Sequence, residues 1–360
     1  MTTRLIETDL AIPAGEYLRK ELEAREMSQR ELAERMERPV QAVNEIVNGN
    51  KKITEDTALA LERVLGVAAP FWLTVDTIAQ LAHARASERK SLQDQVEWLA
   101  RFPLSTMIRR GWIEAAKSPP DQVKAVLQFF GVASFTALTG RQEALGLRIS
   151  KHAPIDEFAL LCWVRKGELD GRAIETAEYD EAAFATVIQE ARPLTRLSLT
   201  DALPILRARC AQAGVALVWT PEFPKIGANG VARWLTKTKA LIQLNLRYRY
   251  ADVFWFSFFH ECGHIMSHRQ RRVFVDMAGD HRSDVEETEA DVFAEQTLIP
   301  TESWMNLISS DYHDSELIER FADLIGVDAG IVVGRLQKER LLPWSAMAGL
   351  KSRFTWREED

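Results

Sequence analysis

The sequence His260-Glu261-Cys262-Gly263-His264 constrains this chain more than any other segment, because its spacing implies both a helix and a chemistry. Side chains four residues apart lie one above the other on an α-helix, so the imidazoles of His260 and His264 can bind one zinc ion. The carboxylate of Glu261, next to the first histidine, can then accept a proton from an attacking water molecule as a general base. The motif therefore predicts a metal-bearing helix and a hydrolytic site.

A zinc site of this kind needs a third protein ligand, usually a carboxylate, and leaves a fourth position open. The helix predicted over 284–298 offers Glu287, Glu289 and Asp291. Glu287 and Asp291 are four apart, on the face whose small and apolar side chains are expected to pack inward, whereas Glu289 points elsewhere. We therefore predict Glu287 as a zinc ligand, Asp291 as a carboxylate that orients a ligand histidine, and Glu289 as a solvated charge.

Short strand-like runs bounded by proline and glycine precede the metal-bearing helix, and one more follows it. They cover residues 215–219, 231–234, 240–244 and 273–275. Helical spacing of apolar residues marks most of the remaining chain, including the segments 254–268, 284–298, 316–325 and 329–339. A small strand region set among long helical regions predicts a multidomain α+β protein.

The chain is longer than one ordinary domain, at 360 residues, and its pattern changes along its length. A block of short helices at the N-terminus is followed by a mostly helical middle and then by the strand-containing region. We expect an all-α domain over 1–80, a helical middle or linker region over 81–205, an α+β domain over 206–345 and a C-terminal tail over 346–360.

Composition excludes several classes of protein. With 46% hydrophobic and 27% charged residues, the chain can bury ordinary cores, unlike a disordered chain. A net charge of -7 argues against a protein that coats nucleic acid through bulk positive charge, although it allows a local DNA-reading surface. We see no apolar leader, no uninterrupted apolar run of about 18 residues, and only three scattered cysteines. We expect a cytoplasmic protein with reduced thiols and no membrane partner.

The region 215–300 resembles the ImmA/IrrE metallopeptidase domain. The segments that carry the resemblance are Gly230-Val231-Ala232-Arg233-Trp234, Phe258-Phe259-His260-Glu261-Cys262-Gly263-His264, Glu287-Thr288-Glu289-Ala290-Asp291-Val292-Phe293-Ala294 and, in the tail, Val333-Gly334-Arg335-Leu336-Gln337. The resemblance implies a minimal zincin-like α+β fold, one Zn²⁺ per chain, and cleavage of intracellular regulators, often repressors. It also implies that Gly230, Ala232 and Trp234 belong to a strand beside the cleft, where an extended substrate can add as another strand.

The N-terminal block has the layout of a helix-turn-helix. Ser28-Gln29-Arg30-Glu31 is a capping-box sequence that predicts a helix start at Ser28, and a second helix is expected over 39–48. The stretch 12–54, continued to residue 73, is similar to HigA-type antitoxin and XRE-type repressor domains. This resemblance implies operator DNA as a partner, transcription regulation, and a toxin partner in a toxin–antitoxin pair. Because such repressors commonly bind two half-sites, a homodimer is also expected.

The helix-turn-helix resemblance also implies which side chains contact DNA: Gln29, Pro39, Val40, Gln41 and Asn44. The amides of Gln41 and Asn44 suit adenine edges, and Lys51 and Lys52 can hold phosphates. Residues 15–64 contain nine basic and eleven acidic side chains, so nonspecific affinity for DNA is expected to be weak. A domain that binds a protein partner or dimerises instead stays an open alternative.

Together, these expectations describe a DNA-binding regulator fused to a zinc-dependent metalloendopeptidase that cleaves a specific intracellular regulatory protein such as a repressor. Two alternatives stay open: an antitoxin-type transcription factor whose metal domain is a non-catalytic sensor, and a zinc site that only stabilises the C-terminal domain. The residue that stabilises a developing oxyanion also stays open among His268, Tyr248, Tyr250 and Arg233.

Overall fold

The computed structural model describes residues 12–144, 156–221, 223, 225–246, 249–267, 274–277 and 285–354. The chain divides into two compact units, one formed by residues 1–97 with 117–124 and the other by residues 98–116 with 125–360. The described part of the first unit is helical, and the second unit combines helices with a β-sheet. The predicted multidomain α+β class is confirmed.

Short helices followed by one long helix make up most of the first unit. They are α1 (Ala14–Ala24), α2 (Gln29–Arg35), α3 (Val40–Val47), α4 (Glu55–Leu65) and α5 (Ala69–Gln93). Their apolar faces meet in one core that contains Leu32, Leu61 and Trp72, each at most 1% exposed. Burial of these faces supplies the main stabilisation of helices this short, which are marginal in isolation.

The helix-turn-helix pair α2 and α3 begins where the sequence predicts. Ser28 Oγ accepts a hydrogen bond from the backbone amide of Glu31 at 3.1 Å, which satisfies a donor that the first helical turn leaves unpaired. Glu37, between the two helices, adopts the left-handed conformation with φ of +50°. The predicted helix start at Ser28 is confirmed.

The remaining helices surround the sheet or precede it in the chain. They are α6 (Leu104–Arg109), α7 (Pro119–Phe130), α8 (Phe135–Ala144), α9 (Glu157–Ala173), α10 (Glu181–Ala191), α11 (Leu199–Gln212), α12 (Ala251–Ser267), α13 (Val285–Leu298), α14 (Thr301–Ile308), α15 (Ser315–Ile325) and α16 (Ala329–Lys338). Short 3-10 helices cover Val96–Arg101, Arg192–Arg196 and Ala348–Leu350. The helices predicted over 254–268, 284–298, 316–325 and 329–339 are confirmed, with ends within three residues.

One helical segment in the described part of the chain, Pro119–Gly140, has the length and hydropathy of a membrane span. It is interrupted, because α7 ends at Phe130, Gly131 has a φ of +66° and α8 begins at Phe135. Length and composition are its only support, and core helices of other proteins pass the same test.

Within the described residues, four strands form one sheet in the order β1-β3-β2-β4. They are β1 (Val215–Pro221), β2 (Ala228–Trp234), β3 (Ala240–Leu246) and β4 (Phe274–Met277). β3 is parallel to β1 and antiparallel to β2, and β2 is antiparallel to β4 with an irregularity between Ala228 and Gly230. All four predicted strand regions are therefore present.

Helices cover both faces of the sheet. On one face, α12 packs against side chains of β2 and β3, including Ala232 and Ile242, in the main core. On the other face, Gln243 Nε2 donates to the Trp163 carbonyl oxygen of α9 at 2.8 Å. A β-carbon on Gly167 would lie 2.6 Å from the same Nε2, so glycine is needed for α9 to approach this closely. Helix α9, from the segment expected as a middle region, is thus a layer of the sheet-containing unit.

The C-terminal segment 344–354 is bound to the start of α12. The amide of Ala251 donates to the Ser352 carbonyl oxygen at 3.0 Å, and the amide of Phe354 donates to the Arg249 carbonyl oxygen at 3.1 Å. Lys351 Nζ lies 2.7 Å from Asp252 Oδ2, and both side chains are at most 8% exposed. These contacts attach the described part of the expected tail to the helix that carries the two histidines.

Candidate metal centre

Helix α12 is buried along almost its whole length. Aromatic side chains of its first half pack into the main core: Phe254, Trp255, Phe258 and Phe259. The polar side chains that follow are equally buried, with His260 2%, His264 1% and Glu261 0% exposed. Burying two imidazoles and a carboxylate costs free energy, so this part of α12 is built for more than packing.

Small residues bring α13 close to α12. A β-carbon on Gly263 would lie 3.1 Å from Ala290 Cα and 3.2 Å from Phe293 Cβ, closer than ordinary side-chain contacts. Ala290 and Ala294 are 1% and 0% exposed on the facing side of α13. Because the two backbones approach this closely, Glu287, one turn before Ala290, reaches the imidazoles on α12.

Three donor atoms meet between the helices. His260 Nε2 is 3.1 Å from His264 Nε2 and 3.2 Å from Glu287 Oε2, and His264 Nε2 is 3.5 Å from Glu287 Oε1. Donors about 2.0–2.2 Å from a tetrahedral zinc ion are about 3.3–3.6 Å from one another. The separations and the donor types therefore fit a zinc ion with a fourth position left for another ligand. Glu289 is exposed on a different face of α13.

Asp291 contacts the other ring nitrogen of His260. His260 Nδ1 lies 2.9 Å from Asp291 Oδ1, so Nε2 faces His264 and Glu287. A carboxylate on one imidazole nitrogen fixes the ring orientation and the tautomer, and leaves the other nitrogen as the metal donor. The contact is therefore of the kind that prepares His260 for metal binding.

Sequence reasoning missed one side chain next to this cluster, Lys338 of α16. Its Nζ lies 3.3 Å from Asp291 Oδ2 and 3.3 Å from Glu295 Oε1. Lys338 is 47 residues beyond Asp291, and no motif spacing relates the two. Only the packing of α16 beside α13 brings them together.

Both carboxyl groups beside His260 are ionised at neutral pH. Burial raises the pKa of Glu287, but its hydrogen bonds with His260 and His264 and their charge outweigh burial and hold this pKa well below its ordinary range. Burial also raises the pKa of Asp291, and His260 together with the charge of Lys338 brings it below its usual value. The ionised form is the one that binds a metal ion or orients an imidazole.

The carboxylate of Glu261 lies against the backbone of β2. A β-carbon on Gly230 would lie 2.8 Å from Glu261 Cδ and Cγ, and closer still to Oε1. Gly230 therefore leaves the space that the Glu261 side chain occupies. Strand β2 and helix α12 together define where the expected general base lies.

Strand β2 is not at the edge of the sheet, which corrects the expected role of Gly230 and Ala232. β3 pairs with one side of β2, and β4 pairs with the other side at both residues. An added substrate strand therefore cannot hydrogen-bond to β2 there, because β4 occupies that position. Trp234 lies beyond the paired part of β4, and its ring packs edge-to-face on Tyr179 at 4.8 Å.

Two of the four candidates for an oxyanion-stabilising group lie within the described residues. Arg233 alternates with Ala232 along β2 and so projects from the sheet face opposite α12, where its Nη1 lies 3.6 Å from Glu168 Oε2. The hydroxyl of Tyr250 accepts a hydrogen bond from Arg353 Nη2. His268 and Tyr248 lie outside the described residues.

Of the side chains expected to contact DNA, Gln29 on α2 is half-buried, and the others, at the start of α3 and along it, are exposed. Asn44 Nδ2 donates to Gln29 Oε1 at 3.3 Å, which links the two helices. Gln41 Nε2 donates to Glu45 Oε1 at 3.1 Å, and Val40 is 43% exposed at the start of α3. This surface presents both amide and apolar side chains.

The expected phosphate contacts, Lys51 and Lys52, follow α3 in the chain. Lys51 and Lys52 are exposed, and Lys51 Nζ lies 3.7 Å from Glu45 Oε2. This contact pairs one of the two expected phosphate-binding cations with an acidic side chain of α3.

Comparison with known proteins finds family matches in two separate parts of the chain. A family described as helix-turn-helix matches residues 18–72, and a peptidase family described as IrrE N-terminal-like domain matches residues 233–337. The chain therefore joins a helix-turn-helix DNA-binding domain to a domain of a metallopeptidase family. More specifically, that second domain is IrrE-like, so both family resemblances seen in the sequence are confirmed.

Two similar solved structures each cover 23% of this chain. An addiction module antidote protein of the HigA family from Coxiella burnetii is 33% identical over 23% of this chain and 92% of its own, with a TM-score of 0.22. A protein described as an antidote of a plasmid maintenance system from Nostoc punctiforme is 26% identical over 23% of this chain and 91% of its own, with a TM-score of 0.23. No match was found among curated proteins.

Proposed function

We propose that this protein is a DNA-binding regulator whose second domain is a zinc-dependent peptidase that cleaves a specific regulatory protein of the cell. The observation that carries the proposal is the buried set of His260, His264 and Glu287 donors, 3.1–3.5 Å apart. Structural zinc sites usually have four protein ligands, whereas catalytic sites have three and keep one position open. Among the described residues, three donors meet beside a buried glutamate, which favours catalysis over a purely structural metal.

The proposed roles follow from the positions of the side chains. His260, His264 and Glu287 hold the zinc ion, and Asp291 keeps His260 in the orientation that binds it. When bound, zinc polarises the scissile carbonyl group and lowers the pKa of water at the site. Glu261 accepts a proton from the attacking water and returns it to the leaving amine.

The substitution Glu261→Gln tests peptidase activity directly. It keeps the size of the side chain but removes the general base, so proteolysis should be lost while zinc content is unchanged. Cell extract incubated with zinc-loaded protein can be searched by mass spectrometry for new peptide N-termini. We expect new termini with the wild type and with the surface variant Glu289→Gln, and none with Glu261→Gln.

If the wild type and Glu261→Gln produced the same set of new peptide N-termini, the proposed peptidase activity would be rejected. If Glu261→Gln then also retained regulation of transcription, the non-catalytic sensor would be the better description. If chelation of zinc lowered only the unfolding temperature, the metal would be structural.

DNA binding is proposed for the surface of α2 and α3, supported by the helix-turn-helix family match and by the exposed amides of Gln41 and Asn44. Selection of bound fragments from a randomised duplex library would identify the preferred sequence. The double variant Gln41→Ala, Asn44→Ala should lose that preference, whereas Glu23→Ala on α1 should keep it. Absence of any enriched sequence for the wild type would favour a protein partner, such as a toxin or a second copy of the chain.

A further inference from the structure

We propose that Lys338 is a positioning residue that sets the zinc affinity of the site by holding Asp291 against His260. The proposal rests on the metal site described above and adds a residue outside the matched peptidase domain, which ends at 337. The lysine touches none of the three donors. It acts through the carboxylate that contacts one of them.

The two carboxylate oxygens of Asp291 contact two different partners. Oδ1 lies 2.9 Å from His260 Nδ1, and Oδ2 lies 3.3 Å from Lys338 Nζ. The Asp291 side chain is 37% exposed, so the imidazole contact alone leaves it free to rotate toward water. Lys338 attracts the second oxygen and thereby favours the rotamer in which the first oxygen reaches His260.

Lys338 is itself fixed from two sides. Its Nζ lies 4.1 Å from the ring centroid of Phe256, which is one turn before His260 on α12, and 3.3 Å from Glu295 Oε1 on α13. A cation over an aromatic ring is attracted to the ring face, so the ammonium group bridges the two helices that carry the donors.

Helix α16, which carries Lys338, is anchored to α13 by a neighbouring side chain. Arg335 Nη1 donates to the Ile299 carbonyl oxygen at 3.1 Å, just after α13 ends, and the Arg335 guanidinium lies over the Trp304 ring at 4.3 Å. Removing the Lys338 charge therefore leaves α16 in place, and the effect of that removal on zinc reports on Asp291 rather than on the packing of the helix.

The test is zinc affinity of the full-length protein, measured by competition with a chromogenic chelator. Loss of a partner that orients a ligand weakens metal binding by about 10–100-fold, and we expect about 10-fold for Lys338→Met. Lys338→Arg keeps the cation and should remain within about three-fold of the wild type. Glu339→Gln removes an ion pair of α16 that involves Arg335 and not Lys338 or Asp291, and it should also remain within about three-fold.

Four results would overturn the proposal. Wild-type affinity in Lys338→Met would show that Lys338 has no role, and equal losses in Lys338→Met and Glu339→Gln would show that the packing of α16 in general matters instead. A lower unfolding temperature of metal-free Lys338→Met than of metal-free Glu339→Gln would assign the effect to stability. A wild type that binds no zinc would reject the metal site itself, which separates that failure from a failure of Lys338 alone.

Discussion

The backbone of Gly230 lies against the carboxylate of Glu261, so that a β-carbon on Gly230 would be 2.8 Å from Glu261 Cδ. The two residues are on different elements, β2 and α12, and are 31 positions apart in the sequence. Their contact means that the strand next to the metal-bearing helix determines where the general base can lie. Gly230 therefore has a role in leaving space for Glu261, which differs from the expected role in binding a substrate strand.

Gly230→Ala should displace Glu261 without removing a metal donor. Because the added methyl group and the carboxylate would occupy the same space, we expect proteolysis to fall by about 10²-fold or more while zinc content stays unchanged. Elemental analysis measures the zinc content, and the mass-spectrometric search for new peptide N-termini measures proteolysis. Gly140→Ala is the matched control, since a β-carbon there has no atom within 4 Å. Full activity in Gly230→Ala would show that Glu261 tolerates displacement or is not the base.

Glu287→Ala should abolish stoichiometric zinc binding, and Glu289→Ala should not. Glu287 lies 3.2 Å and 3.5 Å from the two imidazole Nε2 atoms, whereas Glu289 is exposed on another face of the same helix. Losing one of three protein ligands weakens zinc binding severely. Elemental analysis of the purified proteins decides the matter, and zinc retained in Glu287→Ala would show that another carboxylate completes the site.

Lys351→Met should destabilise the sheet-containing unit by about 3–5 kcal/mol, because it leaves the buried carboxylate of Asp252 without its cation. Burial already raises the pKa of Asp252, and Lys351 opposes that rise. Without Lys351 the folded-state pKa of Asp252 rises further, so the penalty is largest near neutral pH and shrinks as the pH falls and Asp252 is protonated. Urea unfolding at several pH values measures this.

Two further variants make the Lys351 experiment decisive. Lys237→Met, at an exposed position, should leave the unfolding midpoint unchanged. The double variant Lys351→Met, Asp252→Leu should lose less than Lys351→Met alone, because it removes the isolated charge. Equal midpoints for Lys351→Met and the wild type would mean that the C-terminal segment does not stabilise α12.

Gly15→Ala should destabilise the packing of α1 against α3 in the first unit. A β-carbon on Gly15 would lie 2.7 Å from the backbone carbonyl carbon of Val47, at the end of α3, so α1 would have to move. Overpacking of this kind costs about 1–3 kcal/mol. Hydrogen exchange read by mass spectrometry on peptides of residues 14–65 should show faster exchange than in the wild type or in the exposed variant Glu23→Ala. Unchanged exchange would show that α1 shifts without cost.

Periodicity and motif spacing were sufficient for the local structure and for part of the site. The i, i+4 histidines, the inward face of α13 and the capping box at Ser28 depend on helix geometry, which repeats every 3.6 residues whatever the rest of the chain does. For the same reason the choice of Glu287 over Glu289 could be made from their positions on one helix. The four strands were likewise marked by apolar runs between proline and glycine residues.

Features that involve two distant elements were decided only by the tertiary structure. β4 covers β2 and so removes the expected site for strand addition, and Lys338 joins the metal centre from a helix 47 residues beyond Asp291. Helix α9 became a layer of the sheet-containing unit because Gly167 fits against Gln243. Local sequence patterns encode which face of an element is apolar, but not which other element will cover it. That choice follows from the packing of the whole chain, in which side chains far apart in sequence compete for the same space.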